Sequence, residues 1–197
     1  MGRNKFVERR AVFLDRDGVI NRNIRNPATG EYEAPLTPGD FEFLPGALNA
    51  MRALRKAGFT LFLVSNQPNY AKGKSTLKNL RAIHRKLAEC LSRERIEFAR
   101  FYYCFHHPAG SRTRYSRPCS CRKPSPYFLL KARTEFNLDL AGSWMIGDRL
   151  TDVECGNRAG TRTILIASLN TCSTAALEPD AVARDLRAAA RMILTTN

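Results

Sequence analysis

The sequence predicts an α/β fold, a Rossmann-like parallel sheet with helices on both faces, and two observations carry that prediction. Short runs rich in β-branched and aromatic residues alternate with longer stretches of helical periodicity, which is the pattern of parallel strands joined by crossover helices. A hydrophobic content of 44% over 197 residues is enough for one well-buried core and short for two, so residues 1–197 are expected to form a single domain.

The strands are expected at 11–15, 60–65, 98–104, 143–147 and 163–167, with a short last one near Ala181. Each is a brief apolar run bounded by turn-forming residues. Pro45 and Gly46 open a helix that runs to Lys56 and is closed by Gly58; further helices are expected at 76–95, 126–136, 152–159 and 185–194. Two segments resist the scheme, 22–40 with its Pro, Gly and Asn and 106–118 with its Arg and Ser, and both read as loops over one end of the sheet.

Bulk properties exclude some functions. No stretch has the length of a membrane span, and the first residues lack the apolar run of a signal peptide, so a soluble, cytoplasmic protein is expected, with no membrane partner. The chain carries 32 basic and 18 acidic residues, a net charge of +14, which concentrates anionic ligands of any kind. Cys90, Cys104, Cys119, Cys121, Cys155 and Cys172 belong to a reducing compartment on this reading, so the clustered ones are metal-ligand candidates rather than disulfides.

In an open α/β sheet the ligand sits beyond the carboxyl ends of the strands. The first strand ends in Asp15-Arg16-Asp17-Gly18, and residues two apart on a strand point the same way, so both carboxylates can address one small site. Paired buried acids need a cation, and carboxylates with a phosphate oxygen suit Mg²⁺. One acid is placed to attack phosphorus and the other to protonate the leaving alkoxide and then activate water; Asp15 takes the first role and Asp17 the second. Gly18 lets the chain turn out of the strand, and Asn21 is placed to brace that turn. Alone, Asp-x-Asp-Gly is more often an ordinary turn.

Three more strand ends weigh against that plainer account. Ser65-Asn66-Gln67 offers a hydroxyl and backbone N–H groups for phosphate oxygens; Lys123 offers the positive charge that in-line phosphoryl transfer needs; Gly147-Asp148 followed by Asp152 offers a third acid for the metal and a fourth to orient it. A second constellation lies in the loop about 104–121. Cys104-Phe105-His106 and Cys119-Ser120-Cys121 are close pairs separated by twelve residues, a tetrahedral zinc set of three thiolates and one imidazole. Four protein ligands leave no open position, so this zinc is expected to be structural, with His107 as an alternative to His106. Arg122, directly beside the loop, is placed to recognise substrate.

In the order Asp-x-Asp-Gly, Ser-Asn, Lys-Pro, Gly-Asp-x-x-x-Asp, the sequence resembles the haloacid dehalogenase superfamily of phosphohydrolases. The resemblance implies that fold without a large cap domain. It also implies an aspartyl-phosphate on Asp15, acid and base roles for Asp17, phosphate binding by Ser65, Asn66 and Lys123, and Mg²⁺ held by Asp15, Asp17 and Asp148. The zinc loop, ending Cys-Ser-Cys-Arg-Lys-Pro, is similar to that of the superfamily's histidinol-phosphate and heptose-bisphosphate phosphatases, which implies substrate recognition by Arg122 and a small phosphorylated sugar as substrate. Pro68-Asn69-Tyr70 and the long 22–40 segment depart from that pattern. A monomer is expected. A DNA 3′-phosphatase would share the four motifs, and a zinc-stabilised nucleic-acid-binding module would use the basicity; the zinc pairing argues against the first, the acidic strand ends against the second, and nucleic acid is not expected as the partner.

Overall fold

The computed structural model describes residues 8–27, 30–167 and 178–196; Cys172 lies outside them. In chain order the elements are β1 (Arg9–Leu14), a hairpin of β2 (Ile24–Arg25) and β3 (Tyr32–Glu33), α1 (Ala47–Lys56), β4 (Thr60–Asn66), α2 (Leu77–Arg93), β5 (Phe98–Cys104), α3 (Tyr127–Phe136), β6 (Leu138–Gly147), α4 (Leu150–Ala159), β7 (Arg162–Ile166), β8 (Ala181–Ala183) and α5 (Leu186–Thr195). Six strands form one parallel sheet in the order β5-β4-β1-β6-β7-β8. The strand order reverses beside β1, and such a reversal opens a crevice at the carboxyl ends of the strands.

Alternation along the central strands builds two cores. Val12 and Leu14 of β1, Leu61 and Leu63 of β4 and Ile146 of β6 face α1, α2 and α5, whose Met51, Leu54, Ile83, Leu87, Ala189 and Ile193 are buried against them. Ala11, Phe13, Phe62, Val64 and Met145 face the other way, toward Leu129 and Ala132 of α3 and Cys155 of α4. Each fully buried Leu, Ile or Phe contributes roughly 1.5–3 kcal/mol. Helix ends follow local chemistry: the Thr76 side chain accepts a hydrogen bond from Asn79 N at 3.1 Å and that of Asp185 from Ala188 N at 2.7 Å, each satisfying a first-turn donor that the helix leaves unpaired.

The strand and helix positions expected from the sequence are found, with one sizeable extension: β6 starts at Leu138, five residues before the anticipated 143. Arg9 and Arg10 pair with Leu138 and Asp139, then the register shifts so that Val12 meets Trp144. At the irregularity the Ser143 hydroxyl accepts from Ala11 N at 2.8 Å, replacing the missing ladder bond.

Among the described residues no large cap domain is present. The segments that resisted assignment lie together instead. Asn69 Nδ2 donates to Ala34 O (3.1 Å), Ser75 Oγ to Leu36 O (2.6 Å) and Lys74 pairs with Glu33 (2.6 Å), while Ser111 N and Arg112 N donate to Ala71 O and Tyr70 packs edge-on against Tyr115. The unusual Pro68-Asn69-Tyr70 stretch thus joins the 22–40 segment to the cysteine loop. No helix of the described residues is long and apolar enough to cross a membrane.

Candidate active site

β1 delivers Asp15 to the crevice, where its backbone N–H donates to Ile146 O at 2.9 Å. β6 ends at Gly147, so Asp148 stands beside it, and Asp152 arrives from the first turn of α4, its Oδ2 accepting from Arg149 N at 3.1 Å. Carboxylate oxygens of Asp15, Asp148 and Asp152 lie within 4.8 Å of one another. Two glycines permit this approach. A Cβ on Gly147 would stand 2.1 Å from Asp152 Cβ, and one on Gly18 would stand 2.2 Å from Asp148 Oδ2 at a φ of +81° that side chains disfavour. The room at Gly18 is therefore taken by Asp148.

Lys123 is the cation of the cluster. Buried almost completely, its Nζ sits 2.9 Å from Asp15 Oδ1 and 2.6 Å from Asp152 Oδ1 and donates to Val64 O at 2.7 Å. Burial alone lowers its pKa, but Asp15 and Asp152 outweigh that and hold it above the usual lysine value. Three carboxylates against this one ammonium leave an excess of two negative charges when all are ionised. The strain shows at Asp148, whose carboxyl is pushed up to about 7 by burial and then by Asp15 and Asp152, and Asp152 is also raised, first by burial. Asp148 Oδ1 is buried without a hydrogen bond, with Arg149 Nε 4.0 Å away, and the Oδ1 atoms of Asp15 and Asp152 have only the ion pairs with Lys123. Oxygen donors, an excess charge of minus two and orphaned buried oxygens fit a hard divalent cation.

Asp17 lies apart from that group. Its carboxylate accepts from Arg16 Nε (3.0 Å) and Nη2 (2.9 and 3.1 Å), Asn21 Nδ2 (3.0 Å) and Gln67 Nε2 (2.5 Å). The sequence reading placed both acids on one metal; the structure joins Asp152, not the Asp17 carboxylate, to Asp15 and Asp148, because buried Arg16 takes the Asp17 charge. Asn21 also closes the turn, its backbone O accepting from Gly18 N at 2.8 Å. Ser65 is buried at the end of β4 and accepts from Gln67 Nε2 at 3.0 Å. The Asn66 side chain holds the backbone of Lys123 from both sides, Nδ2 to Lys123 O and Oδ1 from Lys123 N, each at 3.1 Å, which ties the end of β4 to the lysine.

The second cluster joins Cys104, at the end of β5, to His106, Cys119 and Cys121. Cys119 Sγ is 3.5 Å from the sulfurs of Cys104 and Cys121, and His106 Nδ1 is 3.8 and 3.7 Å from those of Cys104 and Cys121. Four such donors around a tetrahedral zinc would stand roughly 3.6–3.8 Å apart, so the donor set and spacing fit that ion. His107 is not among them; its Nδ1 accepts from Ala109 N at 3.1 Å. Half-buried Arg122 links the two clusters, donating to His106 O at 3.3 Å beside Lys123; burial and neighbouring Arg149 lower its pKa.

Arg16, Gln67 and the full part of Asp152 were not among the site residues expected from the sequence. Gln67 had a signal, since it follows Ser65 by two and shares its strand face. Arg16 had none, because alternation turns it away from its acidic neighbours and only tertiary packing returns its guanidinium to Asp17.

Residues 120–189 match the family model described as "HAD-hyrolase-like". The chain is 38% identical over 153 residues to D-glycero-beta-D-manno-heptose-1,7-bisphosphate 7-phosphatase of Escherichia coli (strain K12), covering 78% of this chain and 76% of that protein. It is 37% identical over 186 residues to the D-glycero-D-manno-heptose-1,7-bisphosphate 7-phosphatase of Chlorobaculum tepidum, covering 90% of each. The crystal structure of D,D-heptose 1,7-bisphosphate phosphatase from B. bronchiseptica, complexed with magnesium and phosphate, superposes with a TM-score of 0.79 at 30% identity, over 95% of this chain and 99% of that one. The acid cluster, the thiolate cluster and the parallel sheet that carries both therefore place this chain in the haloacid dehalogenase-like hydrolases, in the family of the heptose 1,7-bisphosphate 7-phosphatases.

Proposed function

We propose that this protein is a Mg²⁺-dependent phosphomonoesterase that removes the 7-phosphate of D-glycero-D-manno-heptose 1,7-bisphosphate through an aspartyl-phosphate on Asp15, and that it works as a cytoplasmic monomer. The observation that carries the reading is the buried group of Asp15, Asp148, Asp152 and Lys123 at the strand-order reversal, in a chain whose relatives are named for that reaction.

Asp15 and Asp148 would hold the Mg²⁺, with Asp152 fixing Lys123 and bordering the metal. When bound, the ion neutralises phosphate charge and polarises the transferring group. A carboxylate oxygen of Asp15 attacks phosphorus, the bond from phosphorus to the sugar oxygen breaks, and Asp17, as the general acid, delivers a proton to that oxygen. Asp17 then removes a proton from water, whose oxygen attacks phosphorus and releases inorganic phosphate and the Asp15 carboxylate. Lys123 and the Ser65 hydroxyl stabilise the equatorial oxygens. Zinc held by Cys104, His106, Cys119 and Cys121 would order the loop that carries Arg122, whose guanidinium is suited to the sugar phosphate.

The test is Mg²⁺-dependent phosphate release from the α and β anomers of heptose 1,7-bisphosphate, histidinol phosphate and a 3′-phosphorylated oligonucleotide, run beside Asp15→Asn. Strong preference for one heptose bisphosphate, lost in Asp15→Asn, is the expected result. Preference for histidinol phosphate or the oligonucleotide would keep the mechanism and replace the substrate.

A further inference from the structure

Arg16 and Gln67 are buried, each about 1% exposed, yet neither contacts the acid cluster that the chemistry uses. They contact each other and the two groups that flank it. Arg16 Nη2 donates to Gln67 Oε1 at 2.9 Å, and this bond orients the Gln67 amide so that its nitrogen, a donor only, faces Asp17 Oδ2 and Ser65 Oγ. The reverse amide orientation would set an NH₂ group against the guanidinium and a carbonyl oxygen against the Asp17 carboxylate, two like-for-like contacts between buried groups, where unpaired polar atoms are costly.

Two consequences follow from that single orientation. Asp17 Oδ2 accepts from Gln67 Nε2 and Arg16 Nη2 while Arg16 and Asn21 hold Oδ1, so the carboxylate plane is set from both sides. Ser65 Oγ accepts from Gln67, which leaves its own O–H as a donor for a phosphoryl oxygen. We propose that Arg16 and Gln67 act as a positioning pair that aims Asp17 at the leaving-group oxygen. The inference rests on the roles proposed above for Asp15 and Asp17. Both residues also line a cavity of about 170 Å³ with Leu80, His84, Phe101 and Tyr103, so neither is wedged in place by packing on every side and their hydrogen bonds carry the alignment.

The experiment is a single-turnover measurement of Asp15 phosphorylation, with the Mg²⁺-loaded full chain, from two donors: an alkyl phosphate such as the sugar substrate, whose alkoxide must be protonated as it leaves, and p-nitrophenyl phosphate, whose phenolate leaves unaided. General acid catalysis is worth about 10²–10⁴-fold. Gln67→Met, similar in volume but lacking the amide, is expected to slow phosphorylation from the alkyl donor at least about tenfold and from the aryl donor less than about threefold. Equal slowing with both donors, a larger effect on the aryl donor, or no slowing with either overturns the proposal. Arg16→Lys, which keeps the buried charge but loses the fork that reaches Asp17 and Gln67 together, is the second variant and should show the same donor dependence; it carries the test alone if Gln67→Met does not fold. Asp15→Asn separates the two failures: if it still turns over, the covalent mechanism is wrong, whereas an inactive Asp15→Asn beside a donor-independent Gln67→Met rejects only the positioning pair.

Discussion

The two ligand clusters of this protein are assembled on opposite principles. The acids Asp15 and Asp148 stand at the ends of central strands, with Asp152 in the first turn of a packed helix, so the sheet and its two cores hold them together despite mutual repulsion. Cys119, Cys121 and His106 belong to a loop, and only Cys104 is anchored on a strand. The acid cluster has an internal cation in Lys123 and orphaned oxygens; the sulfur cluster supplies four donors, leaving none of a tetrahedral ion's positions vacant. A site that does chemistry is positioned by the fold, whereas a site that supplies order depends on its ion for its own shape.

Four perturbations sharpen that contrast, in falling order of expected effect. Asp15→Asn should lower phosphate release by about 10³-fold or more, as loss of a covalent nucleophile does, with circular dichroism and melting temperature close to those of the parent. Cys119→Ser, or zinc chelation, should do the reverse: the melting temperature falls by about 6–12 °C, corresponding to roughly 3 kcal/mol in a chain of this size, while metal analysis drops from one zinc per chain toward none. A variant that melts normally would remove the sulfur cluster from any structural role.

Gly18→Ala comes next. It puts a side chain at a φ of +81° and a Cβ on top of Asp148, costing about 1–3 kcal/mol, and calorimetric titration should show weakened Mg²⁺ binding. Retained affinity would mean that Asp148 can move without loss. The smallest effect is on pH dependence. Burial, then Asp15 and Asp152, push the Asp148 carboxyl up to about 7. The metal-free fold therefore loses stability as pH rises from near 4, where the unfolded chain releases this proton, to about 7, with no further loss from this group above that. Mg²⁺ must displace the proton below pH 7, so it should raise the melting temperature by a few degrees more at pH 8 than at pH 5.5. An equal rise at both would assign the shift to another group.

Much of this architecture was legible because the signals were local. Thr76 and Asp185 mark helix starts by their own side chains, and Val12 and Leu14 alternate with Ala11 and Phe13 across the sheet as strand geometry requires. The start of β6 was not legible. Asp139 and Gly142 are residue types depleted in strands, and the strand begins at Leu138 because Arg9 and Arg10, far back in the chain, pair with Leu138 and Asp139, a tertiary gain that overrides weak local preference. Nor was the partner of the Asn66 side chain legible, the Lys123 backbone 57 residues on.

The sequence by itself determined the α/β class, the strand ends that carry acids, and the three sulfur donors with an imidazole from His106 or His107, since each is written in residue type and short-range spacing. Tertiary structure alone decided which groups meet: Asp152 rather than the Asp17 carboxylate beside Asp15, Arg16 turned inward onto Asp17, and Gln67 bridging to Ser65. The reason is electrostatic. In a site closed to water every charge and every N–H must find a partner, and that choice is settled among residues far apart in the chain, by the packing that brings them within reach.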